Sequence, residues 1–399
     1  MDLSIFLSHP IQHYVPWFEI LNDRLDGRFK VYYASRHGVE EAFDPEFGEK
    51  FTWDMDLLSG YEYEFLIDPE QKSGPIQGFW GVRFPHVHEV LDRDNTKAVM
   101  IFGWLFAGYW EVVWATKKIG IPYVLRAESN LLNRGGTLKW WVKTQTVGWL
   151  CRNAAMCLAI GVQNQKLFRD YGVPEDRIRV APYFVDNDLF VGESVRLAPF
   201  RKTLQLGFRL PQDVDVVFIF MGKLVKKKHT DHLLRAWKDL PDAMKKKTAL
   251  LYVGSGEIMD ELKTRAKGDP RVVFAGFLNR KQLPEAYAAS DVLVLPSDEG
   301  ETWGLVVNEA MASGLPAIVS DRVGCAQDMV IDGQTGYIFP YGDIFALRNA
   351  MIRLIENPNI MSAMGARARK HVQIATAELA AEETIKALTT ISQKNGQDR

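Results

Sequence analysis

Two series of short apolar runs, each run of strand length and each gap wide enough for a helix, constrain this chain more than any other feature. The first series is LSIFLS (3–8), FKVYYAS (29–35), KAVMIFG (97–103), PYVLRAES (122–129), MCLAIG (156–161) and RIRVAPY (177–183). The second is VVFIFMG (216–222), ALLYVGSG (249–256), RVVFAGF (271–277), DVLVLPS (291–297), PAIVSD (316–321) and TGYIF (335–339). Runs that do not alternate apolar with polar positions belong to strands covered on both faces, and such strands occur in parallel sheets flanked by helices. Two series therefore predict an α/β chain with two doubly wound parallel sheets. A length of 399 residues agrees, because a single hydrophobic core stops growing before that size.

The segment 185–207, VDNDLFVGESVRLAPFRKTLQLG, shows neither strand alternation nor a helical stripe and reads as a linker between lobes. The expected domains are thus 1–200 and 201–375. A helix over 376–399 follows, with apolar residues at helical spacing in TAELAAEETIKALTTISQK, and is expected to pack back on the first lobe.

Lys plus Arg number 48 against 50 Asp plus Glu, so no overall field draws the chain to nucleic acid, and any anion site must be local. Cys151, Cys157 and Cys325 are an odd number without metal-ligand spacing, which argues against a disulfide framework or a structural zinc and suits a reducing cytoplasm. The opening MDLSIFLSHPIQHYVPW lacks the basic start and long apolar stretch of a secretory signal. No window reaches the roughly 18 apolar residues of a membrane span. A cytoplasmic location is expected.

Ligands of open parallel sheets bind beyond the carboxyl ends of the strands, which directs attention to the residues just after each run. Gly222 closes one run, and Lys223 and Lys228 flank the loop before a helix beginning near Thr230. Two cations beside a helix start suit a multiply charged anion such as a diphosphate; Lys226 and Lys227 read as solvated. In EGETWGLVVNEAMASGLPAIVS (299–320), Glu301 lies on a loop and Glu309 in the helix that Gly304 opens. The amides of Gly304 and Leu305 are open to a phosphate, and carboxylates, being acceptors only, suit the paired hydroxyls of a ribose or sugar ring. An acid pairing with the helix dipole is the structural alternative for Glu309.

These stretches resemble the retaining GT-B glycosyltransferases of family 4, the glycosyl transferases group 1 type. ETWGLVVNEAMASGLP matches the paired-glutamate signature, GKLVKKKH the phosphate loop, and GSGE (254–257), FAGFL (274–278), YAASDVLVLPS (287–297) and IDGQTGYIFPYGD (331–343) follow in order. The resemblance implies two Rossmann-like lobes facing across a cleft and transfer of a sugar, with retention, from a nucleotide-sugar donor to a hydroxyl acceptor. It assigns the donor diphosphate to Lys223 and Lys228 with Gly222, Gly304 and Leu305, the ribose to Glu309, and the transferred sugar to Glu301. Trp303 completes the donor loop, and Phe277 and Leu278 form the nucleobase pocket. His229 stands where the family usually has glycine. No cofactor or metal is implied, since lysines and a helix start take a cation's role. On the same scaffold the alternatives are a sugar-nucleotide epimerase or a phosphorylase; outside catalysis, a two-lobed binding protein.

The first half fits the family less closely. SHPIQHYVPW replaces its glycine-rich first loop, and a subset of the family shares the HPIQ opening. His9 there is read as a catalytic-site hydrogen-bond partner and His13 as a cleft residue that helps fold the turn. Arg126 and Glu128, in RAESN, are placed to meet the acceptor or, alternatively, to pair with each other. Asp186 reads as structural. DRD (92–94) and HVH (86–88) imitate metal ligands but have no partner ligands nearby in the sequence. Finally, 133–153 places Leu138, Trp141, Val142 and Trp149 with Lys139, Lys143 and Arg152 on an amphipathic helix. It packs on its own lobe or lines the acceptor cleft or, in the alternative reading, makes a peripheral contact with an anionic membrane face, as suits a family many of whose members use lipid-linked acceptors.

Overall fold

In the computed structural model, which describes residues 1–39, 42–44, 49–51, 54–67, 76, 78–132 and 137–397, the chain forms two compact units. One is built from Met1–Phe43, Lys50–Tyr183 and Thr376–Arg399; the other is Phe184–Ala375 with Asp44–Glu49.

The first unit is centred on seven parallel strands: β1 (Leu3–Leu7), β2 (Phe29–Tyr33), β3 (Glu62–Phe65), β4 (Val99–Phe102), β5 (Tyr123–Ala127), β6 (Met156–Ala159) and β7 (Ile178–Val180). Their order is β3-β2-β1-β4-β5-β6-β7. The second unit has β8 (Val216–Met221), β9 (Thr248–Val253), β10 (Val272–Gly276), β11 (Val292–Leu295), β12 (Ala317–Ser320) and β13 (Gly336–Phe339), all parallel, in the order β10-β9-β8-β11-β12-β13. Both sheets reverse their winding direction beside their first strand, and at such a switch point the loops leaving two neighbouring strands part and leave a crevice. The unbroken apolar runs are explained by burial: every residue of β1, β2, β5, β8, β9 and β11 is buried.

Strand β3 was not among the expected runs. It is the sheet edge, and its sequence EYEF carries acids on an exposed face. Lys30 of β2 reaches Glu64 at 3.0 Å and Glu62 at 3.4 Å, so the edge is charged, as edges that must not pair further tend to be.

The expected linker is corrected by the structure. Residues 185–207 are largely helical, over Asn187–Leu197 and Arg201–Gly207, and they belong to the second unit, so the chain crosses at Phe184 rather than near 200. The helical stripe is hidden because its buried positions include polar residues. The Asn187 amide donates to the carbonyls of Val372 (3.3 Å) and Ala375 (3.1 Å), and Gln205 donates to Ala289 O (3.1 Å). Asp186 caps the first of these helices by accepting from Leu189 N at 3.0 Å, and its other oxygen takes Arg280 at 2.8 Å.

The helix Ala377–Gln397 lies against the helix Val15–Arg24 and strands β6 and β7, with Glu383 pairing Arg179 at 3.2 Å. The helix Thr137–Asn153 buries Val147, Leu150 and Cys151 on one side and exposes Trp141 and Val142 on another. Trp149 stacks on Trp114 at 5.3 Å, and Arg152 donates to Tyr171 O at 2.8 Å, so the aromatic and basic residues expected on one face are divided among several. Residues 133–136 and the side chains of Leu138 and Lys139 lie outside the described parts. Among the described residues no helix is long and apolar enough to cross a membrane.

Candidate active site

At the switch point of the second sheet the loops after β8 and β11 come together. Strand β8 is followed by Gly222, in the left-handed half of backbone space at φ +133°, and Gly254 after β9 passes so close that a Cβ there would stand 2.1 Å from Gly222 O. Glycine is required at that crossing by contact as well as by conformation. Lys223 follows at once, half-buried, and Lys226–Lys228 make a single 3-10 turn whose first two side chains are exposed. The third, Lys228, turns inward and forms an ion pair with Glu301, each side chain only 13% exposed.

Glu301 is held by backbone on both sides. Its own N–H donates to Asp298 O (3.0 Å), and its carbonyl accepts from Gly324 N (3.0 Å). Asp298 anchors the loop, donating from its amide to Lys227 O (3.0 Å) and accepting from Gly300 N at 2.7 Å. Charges sheltered in this way interact more strongly than surface pairs, and the pair presents a cation and an acceptor-only carboxylate at one point.

Gly304, at φ +100°, turns the chain into the helix Leu305–Ala312; a Cβ there would lie 2.9 Å from Leu295. The Trp303 indole is 4% exposed and donates to Asn308 Oδ1 at 3.0 Å, so its ring braces the helix start from inside the unit. Glu309, further along the helix, accepts from the Tyr287 hydroxyl at 2.7 Å. Burial pushes its carboxyl up to about 7, against the pull of Tyr287 and Arg280 in the other direction. Phe277 and Leu278 lie half-buried just past β10, where Gly254 N donates to Gly276 O at 2.7 Å and joins the loops after β9 and β10.

In the first unit the corresponding residues are turned inward. His9 follows β1, its Nδ1 2.9 Å from Ser8 Oγ and its ring 5.2 Å from that of His37; burial first, and His37 second, hold its pKa down at about 4, so it is neutral near pH 7. His13 packs edge-on against Tyr14 and Tyr183, at 4.4 and 5.1 Å. Arg126 has no exposure at all: it donates to Ala181 O (2.8 Å) and Pro182 O (3.4 Å) and lies over Trp17 at 4.7 Å. Glu128 accepts from the Tyr14 hydroxyl. The structure therefore gives Arg126 and Glu128 separate partners.

Residues 208–371 match the family model described as glycosyl transferases group 1. Residues 208–371, in the second unit, are a glycosyl transferases group 1 region. The chain is 34% identical over 291 residues to a sulfoquinovosyl transferase of Arabidopsis thaliana, covering 70% of this chain and 52% of that protein. It is 31% identical over 209 residues to a GDP-mannose-dependent alpha-(1-6)-phosphatidylinositol monomannoside mannosyltransferase of Mycolicibacterium smegmatis, covering 49% and 52%. The chain thus spans about half the length of these curated relatives. Among solved structures, HepE of Anabaena in complex with UDP superposes with a TM-score of 0.71 at 18% identity over 98% of this chain and 100% of that one. Sucrose-phosphate synthase of Thermosynechococcus elongatus gives 0.74 at 19% over 98% and 99%. At these identities the likeness is one of fold, and the fold is GT-B.

Measured against the group 1 pattern, His229 departs from the usual glycine at a position that is left-handed, φ +46° and ψ +40°, which explains why glycine is common there. Tyr287 and Arg280, which oppose the effect of burial on Glu309, carry no motif signal for that role in the sequence. Tyr287 lies in the motif YAASDVLVLPS, where it reads as an ordinary core aromatic, and only the fold brings it under Glu309. In DRD, Asp94 is occupied by Lys30 (3.6 Å) and Arg93 (2.9 Å), and in HVH the rings face Glu89 and Asp92, both at 3.3 Å. Among the described residues the histidine and acid groups close enough to share an ion are His229, Asp231 and His232.

Proposed function

We propose that this chain is a glycosyltransferase that moves a sugar from a nucleotide-diphosphate-sugar to a hydroxyl acceptor with retention of anomeric configuration. The observation that carries the reading is the sheltered Lys228–Glu301 pair at the switch point of the second sheet. Lys228 faces the donor diphosphate, with Lys223 and the amides of Gly304 and Leu305 beside it. Glu301 accepts from hydroxyls of the transferred sugar. Glu309 accepts from the ribose, and Phe277 and Leu278 flank the base. As the glycosidic bond breaks, negative charge grows on the leaving diphosphate, and a preplaced cation aimed there lowers the barrier. The pair is also a rest state: with no diphosphate present the Lys228 charge is balanced by Glu301, and a donor's arrival exchanges that partner for phosphate oxygens. On this reading the reaction proceeds without a metal ion.

The names of two matched proteins support the donor class, one solved structure being a complex with UDP and one relative being GDP-mannose-dependent. A peripheral contact with an anionic membrane face, and with it a lipid-linked acceptor, extends the proposal. Its support is the exposure of Trp141 (61%) and Trp114 (59%), with Lys117 4.8 Å over the Trp149 ring on which Trp114 stacks. The three cysteines are buried free thiols, as a reducing compartment allows. Thermal-shift screening against UDP-, GDP- and ADP-sugars tests the donor reading, since ligand at 100 times its dissociation constant adds about 2.7 kcal/mol of stability. No shift with any of them would overturn it.

A further inference from the structure

Beside the phosphate loop, three ligating side chains converge that the transferase reading leaves unused. His229, Asp231 and His232 occupy the turn that opens the helix Thr230–Lys238, and one ligand atom from each lies within 4.8 Å of the others. Ligands at about 2.0–2.2 Å around a tetrahedral ion stand roughly 3.4 Å apart, so rotamer adjustments of about an ångström would close the set. His232 Nδ1 is buried with no hydrogen-bond partner, and a buried ring nitrogen left unsatisfied is costly unless something occupies it. Asp231 is held only loosely, by Arg265 at 3.4 Å, both side chains well exposed. His229 Nε2 is 2.7 Å from the Tyr341 hydroxyl and 3.2 Å from Asp298 Oδ2, partners of the kind that fix the ring when its other nitrogen, Nδ1, serves as the ligand.

Acids and cations both surround the site, Arg265, Arg235 and Arg322 among the cations. Lys226 and Lys227 project into solvent and Lys228 is neutralised by Glu301, while Asp231, Asp298 and Glu299 remain on this side of the loop. The chain further keeps histidine in a left-handed conformation that glycine would adopt without strain.

We propose that His229, Asp231 and His232 bind a divalent first-row transition metal of the zinc class, tying the first turn of the helix Thr230–Lys238 to the Asp298 loop. Two imidazoles and one carboxylate select zinc, cobalt or nickel over magnesium or calcium, which prefer all-oxygen shells. The site is separate from the proposed chemistry: it takes no part in the transfer, and its existence does not rest on that function.

The test uses the full chain stripped of metal. Cobalt is titrated while visible absorption is followed, zinc is titrated by calorimetry, and magnesium serves as control. One equivalent of zinc should bind saturably and raise Tm, magnesium should not, and the cobalt complex should show the intense bands of low coordination number. His232→Ala and, as a variant that keeps side-chain shape, Asp231→Asn should each weaken zinc binding about tenfold or more. Absence of saturable zinc binding, or unchanged binding in both variants, overturns the proposal. Nucleotide-sugar binding measured on the same samples without metal reports separately on the transferase reading.

Discussion

The two sheets share one winding order and use its switch point differently. In the second unit the loops leaving β8 and β11 are shaped by glycines at Gly222, Gly254 and Gly304, and they bring Lys228 and Glu301 together as an ion pair. In the first unit the charged and polar residues beyond the strands serve the fold itself: Arg126 satisfies the carbonyls of Ala181 and Pro182, Glu128 takes Tyr14, and His9 is kept neutral by burial. A shared topology thus sets where a site can form. What the side chains are already bonded to decides whether one does.

The contrast breaks first at Lys228. Lys228→Ala should lower turnover by about 10²–10³-fold while leaving the Michaelis constant for the donor much less affected, because the charge it faces grows in the transition state. Steady-state kinetics of the variant beside wild type checks this; a loss confined to the Michaelis constant would return Lys228 to simple binding.

Arg126 should fail in the opposite way. Arg126→Ala leaves two carbonyls short of donors and empties the space against Trp17, so a loss of about 3 kcal/mol of stability is expected, with donor affinity intact. Denaturant unfolding together with calorimetric donor binding separates the two effects. A stable variant with weakened catalysis would make Arg126 an active-site residue after all.

Glu309 sharpens the comparison through pH. Its carboxyl sits near 7 in the folded chain, above its ordinary range, so the neutral form is favoured below that pH and the ionised form, the one proposed to accept from the ribose, above it. Affinity for the intact sugar nucleotide, whose diphosphate does not titrate there, should fall about tenfold between pH 8 and pH 6. Glu309→Gln should flatten the profile. His9, held near 4, cannot supply the dependence across that window.

The smallest effects are expected at Lys226 and Lys227, whose replacement by alanine should leave turnover within about twofold of wild type, as solvated charges contribute little. Turnover in excess EDTA should likewise persist. Losses at Lys226 equal to those at Lys228 would show a diffuse basic patch in place of a pair.

Much of this was legible in the residues, and the omissions have physical causes. Runs such as VVFIFM and ALLYV announce buried parallel strands because both faces are covered. EYEF does not, because an edge strand has one wet face and carries Glu62 and Glu64 there. The helices of 187–207 were hidden by Asn187 and Gln205, buried polar residues that spell loop in a hydropathy pattern and are satisfied only by carbonyls distant in sequence. Glu301 and Lys228 could be picked from motif order, but their pairing is separated by 73 positions and belongs to the fold. The inward turn of Arg126 and of the Trp303 indole is likewise a tertiary fact, since nothing local in RAESN or ETWG distinguishes a buried side chain from one facing ligand.

The central claim is that Glu301 meets the transferred sugar and not the nucleotide, and Glu301→Gln tests it most directly. Binding of the free nucleoside diphosphate by calorimetry and turnover with the matching sugar nucleotide are measured on the same preparation. The account predicts diphosphate affinity within about threefold of wild type, since removing the paired carboxylate frees Lys228, and turnover reduced by about a hundredfold or more. Diphosphate affinity falling in parallel with turnover would contradict it.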